Sequence, residues 1–165
     1  MAAVVELRDI VTDADRAAVL ALSVAPDQEA FVASVEDSFH DAIADARACP
    51  RMWSVHAERH VVGFVMISDG IPAERLATDH DLIGPYFLWR LLIDRAEQRK
   101  GYGTAVLDAI VDYLATRPGA AVLWTSAGRG PGTPQPFYER YGFVMTGEIM
   151  HKEVVLRLDL PVRPG

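Results

Sequence analysis

The stretch Gln98–Thr104 constrains this chain more than any other. Its sequence is Gln-Arg-Lys-Gly-Tyr-Gly-Thr, and it follows an apolar run at residues 87–93. Downstream, Val106, Leu107 and Ile110 recur at the spacing of one helix face. This order predicts a strand, a basic glycine-rich turn and a helix. Because a helix start has unpaired N–H groups and a partial positive charge, the turn is a candidate anion site.

The composition of the turn agrees with an anion site, although its spacing is unusual. Gly101 and Gly103 remove Cβ atoms where an anion would approach the backbone, and Arg99 and Lys100 add positive charge. The chain has no Gly-x-x-x-x-Gly-Lys-Ser/Thr loop, and Val106 stands where a dinucleotide-binding turn has its third glycine. The turn is therefore neither of the two common phosphate loops. The alternative is an ordinary connection with solvated basic side chains.

A resemblance to a known protein family indicates a specific function for the turn. Gln98–Gly103 resembles the acetyl-coenzyme A (acetyl-CoA) pyrophosphate loop of the GCN5-related N-acetyltransferases, the GNAT family. Downstream, Pro-Phe-Tyr-Glu-Arg-Tyr-Gly-Phe at residues 136–143 is similar to the late F-Y-x-x-x-G-F segment of that family. Residues 88–94 and 131–134 resemble its spermine/spermidine acetyltransferase-like branch. The resemblance covers roughly residues 60–150. It implies an α/β fold with a mixed, mostly antiparallel sheet flanked by helices.

The resemblance also implies an activity and a set of coenzyme contacts. The expected reaction moves an acetyl group from acetyl-CoA to a primary amine, such as a polyamine or another small cationic amine. The alternatives are a protein N-terminal or lysine acetyltransferase and a non-catalytic acyl-CoA sensor. The end of the central strand would hold the pantetheine arm and the thioester oxygen, and the loop would hold the pyrophosphate. The expected coenzyme-binding residues are Leu91, Leu92, Ile93, Gln98, Arg99, Lys100, Gly101, Tyr102, Gly103, Thr104 and Tyr138.

A proton donor for the departing thiolate is expected in the late segment. The family has its tyrosine directly after the phenylalanine, which favours Tyr138 over Tyr141. A positioned phenol can donate to a thiolate, although its ordinary pKa is about 10. The alternative is a tyrosine that only packs on the core. Many family members have an asparagine shortly before this helix, whereas this chain has Thr133 and Gln135 nearby.

The residue that removes a proton from the amine is less clearly indicated. Glu148, in the segment Thr-Gly-Glu that is predicted to follow a strand, is the first candidate for this catalytic base. A chain of water molecules could serve equally well, and most acidic side chains here are expected to be solvated. The full set of candidates is Glu58, Glu74, His80, Asp81, Glu148 and His151.

Arg90 is unusual in a strand that is otherwise apolar. Alternation places it on the face opposite to Trp89, and a buried guanidinium needs a partner. The structural interpretation is an ion pair with an acidic residue such as Asp94 or Glu97. The functional one is an organiser of the acceptor pocket.

Bulk properties exclude several classes of function. The net charge is −7, which provides no electrostatic footprint for nucleic acid. With Cys49 as the single cysteine, the chain has no internal disulfide and no thiolate metal site, and its histidines lack metal-ligand spacing. No signal peptide or run of about 20 apolar residues is present, so we expect a cytoplasmic protein without a membrane partner. The oligomeric state stays open, with a homodimer as one option.

The chain is expected to form one acetyltransferase domain, residues 1–160, with a tail at 161–165. Apolar spacing predicts a second helix from Pro26 to about Ala46, and the segment Asp69–Ile83 is predicted to be an irregular insert. The acidic residues of this insert favour a cationic acceptor, because the insert precedes the predicted central strand Tyr86–Ile93. Those acidic residues are Asp69, Glu74, Asp79 and Asp81.

Overall fold

The computed structural model describes residues 2–161. Most of the expected C-terminal tail, residues 162–165, therefore lies outside the described residues. One seven-stranded sheet has the order β1-β2-β3-β4-β5-β7-β6. Every neighbouring pair is antiparallel except β4 and β5, which confirms the mixed, mostly antiparallel sheet. The strands are β1 Glu6–Asp9, β2 Pro50–Ala57, β3 His60–Asp69, β4 Tyr86–Ile93, β5 Val122–Ala127, β6 Val144–Met150 and β7 Glu153–Asp159.

The helices cover both faces of this sheet. The residues of β3 alternate between the two faces, so that Phe64 packs in the cluster with α1 and α2, and Val65 packs in the larger cluster with α4. Burial of apolar surface on both faces stabilises the central strands. The α-helices are α1 Asp13–Leu20, α2 Val35–Ala44, α3 Ala73–Thr78, α4 Tyr102–Leu114 and α5 Gln135–Tyr141.

Two predicted segments differ from the structure. The predicted second helix begins near Pro26, but in the structure Pro26–Gln28 is a single 3₁₀ turn and α2 begins only after Ser34. The Ser34 hydroxyl accepts a hydrogen bond from the N–H of Asp37 and so caps the helix there. The insert at residues 69–83 is not wholly irregular, because it contains α3 directly after Pro72. Proline at such a position is compatible with a helix start.

A β-bulge interrupts the alternation of β4. Met66 of β3 pairs with Arg90, and the next residue, Ile67, pairs with Leu88, so that Trp89 is the extra residue. Leu88 therefore packs in the α4 cluster, whereas Leu92 packs in the α1–α2 cluster. Without the bulge these two even-numbered side chains would share a face. The bulge re-aims the second half of the strand that is expected to hold the coenzyme.

Gly63 on β3 allows that half of β4 to approach closely. A Cβ atom at Gly63 would lie 2.5 Å from the carbonyl oxygen of Leu92 and 2.9 Å from Cδ1 of Ile93. We predict that Gly63→Ala lowers the free energy of unfolding by about 1–3 kcal/mol, because the strands must separate to admit the methyl group. Urea denaturation measures this. An unchanged denaturation midpoint would contradict the close approach.

Candidate active site

The sheet opens between β4 and β5. These parallel strands pair only through Phe87 with Trp124 and Leu88 with Thr125. At the last pair, the Thr125 hydroxyl donates a 3.0 Å hydrogen bond to the carbonyl of Leu88. Beyond this point β4 continues to Ile93 with β3 as its one partner strand among the described residues. The second half of β4 therefore presents backbone polar groups to an opening in the sheet.

The N-terminus of α4 borders this opening and differs from the other long helices. Thr12 caps α1 and Ser34 caps α2, each through its side chain, and both helices have acidic residues in the first turn. At α4 the cap is Gly101, with φ +82°, and neither a capping side chain nor an acidic first-turn residue is present. The first-turn N–H groups of this 13-residue helix are thus left to an external acceptor.

A cavity of about 580 Å³, here called the loop cavity, lies against this helix end. Two of the expected coenzyme-binding residues do not line it. The Leu92 side chain is buried in the α1–α2 cluster, and Lys100 forms a 2.9 Å ion pair with Glu97. The expected residues that do line it are Leu91, Ile93, Gln98, Arg99, Gly101, Tyr102, Gly103, Thr104 and Tyr138.

A second cavity of about 660 Å³, here called the acidic cavity, lies on the other side of Tyr138. Four carboxylates line it, against two guanidinium groups, Arg47 and Arg90. Phe31, which the sequence assigned to a helix face, contributes to its apolar wall. The four acidic lining residues are Glu29, Asp45, Asp81 and Glu153.

Tyr138 lies where the two cavities meet. It lines both, as do Val32, Leu91 and Pro134. The side chain is only 6% exposed, and this burial, more than any other cause, raises the pKa of Tyr138 to about 12. The carboxylate of Glu153 raises this pKa further, and Arg90 and a hydrogen bond with Thr125 lower it. A protonated phenol therefore stands between the two cavities, and both a carboxylate and a guanidinium group act on its pKa.

Tyr141 is placed differently. Its hydroxyl donates a 2.7 Å hydrogen bond to Asp108, and burial together with this bond raises the pKa of Tyr141. It lines neither cavity. Of the two tyrosines that the sequence could not separate by chemistry alone, only Tyr138 reaches the cavities.

Comparison with known proteins gives this arrangement its family. The family model described as the acetyltransferase (GNAT) domain matches residues 49–145, which is more than half of the chain. The chain belongs to the GNAT family. It is an acetyl-CoA-dependent N-acetyltransferase, as the resemblance of residues 98–104 predicted.

Individual relatives agree with the family at different levels. The spermine/spermidine N(1)-acetyltransferase of Bacillus subtilis (strain 168) is 29% identical over 141 residues, which cover 84% of this chain and 88% of that protein. An acetyltransferase structure from Thermus thermophilus superposes with a TM-score of 0.67 at 22% identity, over 95% of this chain and 97% of that one. The PaiA N-acetyltransferase of Thermoplasma acidophilum, solved with coenzyme A, gives 0.52 at 15% identity, over 76% and 71%.

The residues around the loop cavity have the chemistry that the coenzyme of GNAT enzymes requires. A pyrophosphate requires N–H donors and positive charge, which the uncapped α4 terminus and Arg99 supply. Arg99 adopts a left-handed backbone with φ +64°. Such a conformation is uncommon for a residue other than glycine and tends to occur at functional sites.

Gln98 anchors the loop of this GNAT enzyme. Its side-chain amide donates to the Gln28 side chain at 2.7 Å and to the Ile93 carbonyl at 3.1 Å. The loop is thereby tied both to the end of β4 and to the segment that precedes α2. Gln98 also lines the loop cavity.

The candidate bases are scattered over the structure. Asp81 and His151 line the acidic cavity, with 3.9 Å between them, whereas Glu58, Glu74, His80 and Glu148 line neither cavity. Glu148 does not follow a strand. It lies within β6, exposed, at an irregularity in the pairing with β7.

Glu153 also lines the acidic cavity, although the sequence did not mark it as a candidate. This residue begins β7 directly after a turn in which His151 and Lys152 both have positive φ. An acid beside such a turn normally indicates a solvated loop. The sequence feature that could have drawn attention to Glu153 is Ser126 on β5, because β5 pairs with β7 and the Ser126 side chain contacts Glu153.

Arg90 is paired with an acid, as predicted, but the two acids named as examples were wrong. The guanidinium pairs with Asp41 of α2 at 2.7 Å, because the bulge turns Arg90 toward that helix. Asp94 instead accepts from the N–H of Ser23, and Glu97 is engaged by Lys100. The bulge also overrides alternation, so that Trp89 and Arg90 both line the acidic cavity.

Two further findings concern residues 2–161 only. No group of three or more metal-ligating side chains there is arranged to hold an ion. Over the same residues, none of the helices has the length and apolar character needed to span a bilayer.

Proposed function

We propose that this GNAT enzyme acetylates a primary amino group of a small cationic amine, with polyamines as the first choice. The observation that carries the proposal is the acidic cavity, which meets the loop cavity, the expected coenzyme site, at Tyr138. An amine in the first cavity and a thioester in the second would come together at this phenol. Tyr138 then acts as the proton donor to the departing thiolate.

The charge of the acidic cavity supports a cationic acceptor. Both of its guanidinium groups are already paired. Arg47 contacts Asp45 at 3.0 Å and also Asp79, and Arg90 contacts Asp41. The carboxylates of Glu29, Asp81 and Glu153 remain without an arginine partner among the described contacts, so the cavity attracts ammonium groups.

The named activity of the Bacillus subtilis relative points the same way. That protein is a spermine/spermidine N(1)-acetyltransferase and shares 29% of its residues with this chain over most of both lengths. A polyamine carries several ammonium groups, and the cavity offers several separated carboxylates. A polyamine could therefore bind one acid near Tyr138 and another near the insert.

The test is thiol release from acetyl-CoA over a panel of acceptors at low and moderate salt. We predict higher kcat/KM for spermidine and spermine than for a neutral amino-acid amide or an N-terminal peptide. We also predict that rates with the polyamines fall as the Debye length shrinks from about 30 to about 8 Å. Asp81→Asn should weaken the salt dependence, because it removes an exposed cavity charge.

The other outcomes separate the alternatives. A clear preference for the peptide or the neutral amide, without salt dependence, would contradict a cationic acceptor and leave the GNAT activity standing. Coenzyme binding without thiol release for any amine would favour an acyl-CoA sensor.

A further inference from the structure

One carboxylate in the wall of the acidic cavity, that of Glu153, is held by a neighbouring side chain. The Ser126 hydroxyl on β5 donates a 2.8 Å hydrogen bond to Oε1 of Glu153 on β7. Both side chains are half-buried and both line the cavity. Among residues 2–161, no group donates a hydrogen bond to the other carboxylate oxygen, Oε2, so Oε2 can accept one from a ligand.

Position distinguishes Glu153 from the other acids of the cavity. Asp45 is paired with Arg47, and the side chains of Glu29 and Asp81 are exposed. Glu153 is the acid whose charge acts on the phenol of Tyr138. An ammonium group bound to Glu153 would therefore also be close to the point where the two cavities meet.

The central strand offers no alternative. None of the residues that β4 supplies to the cavity is acidic, because β4 contains no acidic residue between Tyr86 and Ile93. A carboxylate base for this reaction would therefore come from another element. β7 supplies one, because Glu153 stands two strands away from β4 across the opening beside β5.

We propose that Glu153, anchored by Ser126, binds the ammonium group of the acceptor and takes its proton. This inference rests on the proposed function, because it requires an amine in the acidic cavity. It assigns the base to a residue other than Glu148.

The proton and electron balance is complete with these two residues. Glu153 takes one proton from the ammonium nitrogen, whose lone pair then forms the bond to the acetyl carbon. The carbon–sulfur bond breaks with its electron pair on sulfur, and Tyr138 gives its phenolic proton to that sulfur. The nitrogen loses its second proton as the amide forms, and this proton returns to Tyr138 through water. Glu153 releases its proton to solvent, so one proton is liberated per acetylation.

The test compares Glu153→Gln with wild type in thiol release from acetyl-CoA with spermidine across about pH 7–9. Glutamine keeps the shape and can still accept from Ser126, so the fold should be retained. We expect kcat/KM at neutral pH to fall at least about tenfold, the lower end for a lost base. Glu36→Gln on α2, which lines neither cavity, is the matched control and should behave as wild type.

The pH profile distinguishes a base from a structural group. With the base present, the predominant ammonium form reacts, and kcat/KM stays nearly flat over this range. Without it only the free amine reacts, so the rate of Glu153→Gln should rise about tenfold per pH unit below an amine pKa of about 10.4. Both proteins keep the other charged and titratable groups that line the acidic cavity, so the contributions of these groups cancel in the comparison. Those groups are Glu29, Asp45, Arg47, Asp81, Arg90, Tyr138 and His151.

A second measurement does not depend on turnover. Calorimetry with spermidine and the protein without coenzyme should show about tenfold weaker binding to Glu153→Gln, because a charge-assisted hydrogen bond is lost. A variant with wild-type rate, flat pH profile and unchanged spermidine affinity would overturn the inference. So would a loss in Glu148→Gln that is absent from Glu153→Gln. If wild type releases no thiol with any amine, the proposed function fails as well.

Discussion

Replacing Tyr138 with phenylalanine is expected to lower kcat about 10²-fold or more, because the departing thiolate then has no positioned proton donor. Coenzyme affinity should change little, since the hydroxyl acts mainly as sulfur leaves. The ring itself packs against Phe137 and Phe143, and these contacts survive the substitution. Thiol release under saturating acetyl-CoA and amine measures kcat, and calorimetry measures the affinity.

Tyr141→Phe is the matched control for Tyr138→Phe. It removes the same hydroxyl three residues away, and with it the hydrogen bond to Asp108 outside both cavities. We expect a small loss of stability and nearly normal turnover. Normal turnover of Tyr138→Phe together with a loss in Tyr141→Phe would show that the choice between the two tyrosines is wrong.

The pKa of Tyr138 adds a pH dependence to this prediction. Burial raises the pKa to about 12, so the phenol stays protonated at every pH below about 11. Because the acid form is the active form, wild-type kcat should not decline between about pH 7 and pH 10. A falling alkaline limb centred below pH 10, lost in Tyr138→Phe, would contradict this environment for the phenol.

The loop and its flanking elements could be predicted because local rules and tertiary packing agree there. The apolar run Tyr86–Ile93 was predicted to be the central strand, and the strand β4 has those same bounds. Gly101 was expected at the start of the next helix, and its φ of +82° shows why glycine suits that position. The coenzyme side of the site follows from these local features.

The acceptor side was poorly predicted because tertiary contacts decide it. Phe31 and Val32 fall at helical spacing, yet they line cavities, since Ser34 caps α2 after them. No local pattern marks the bulge at Trp89, because it arises from pairing with β3. The same pairing turned Arg90 toward Asp41. The position proposed for Glu153 likewise depends on a tertiary contact, the hydrogen bond from Ser126 on a neighbouring strand.

The second large effect is expected at Gly103, in the first turn of α4. We predict that Gly103→Val weakens acetyl-CoA binding by about 10²-fold or more, because the branched side chain covers backbone N–H groups that would each donate a charge-assisted hydrogen bond to the pyrophosphate. Calorimetry on the folded variant measures the affinity, and circular dichroism checks the fold. Unchanged affinity would remove the loop from the coenzyme site.

The structure shows a second route by which this substitution could act. A Cβ atom at Gly103 would lie 3.1 Å from the Phe137 ring, which itself lines the loop cavity. Valine would therefore displace the ring as well as cover the backbone. The double variant Gly103→Val, Phe137→Ala separates the two effects, since alanine makes room for the valine. If affinity stays low relative to Phe137→Ala alone, blocked N–H groups explain the loss. If affinity returns, the displaced ring explains it, and the direct contact between the anion and the helix terminus is contradicted.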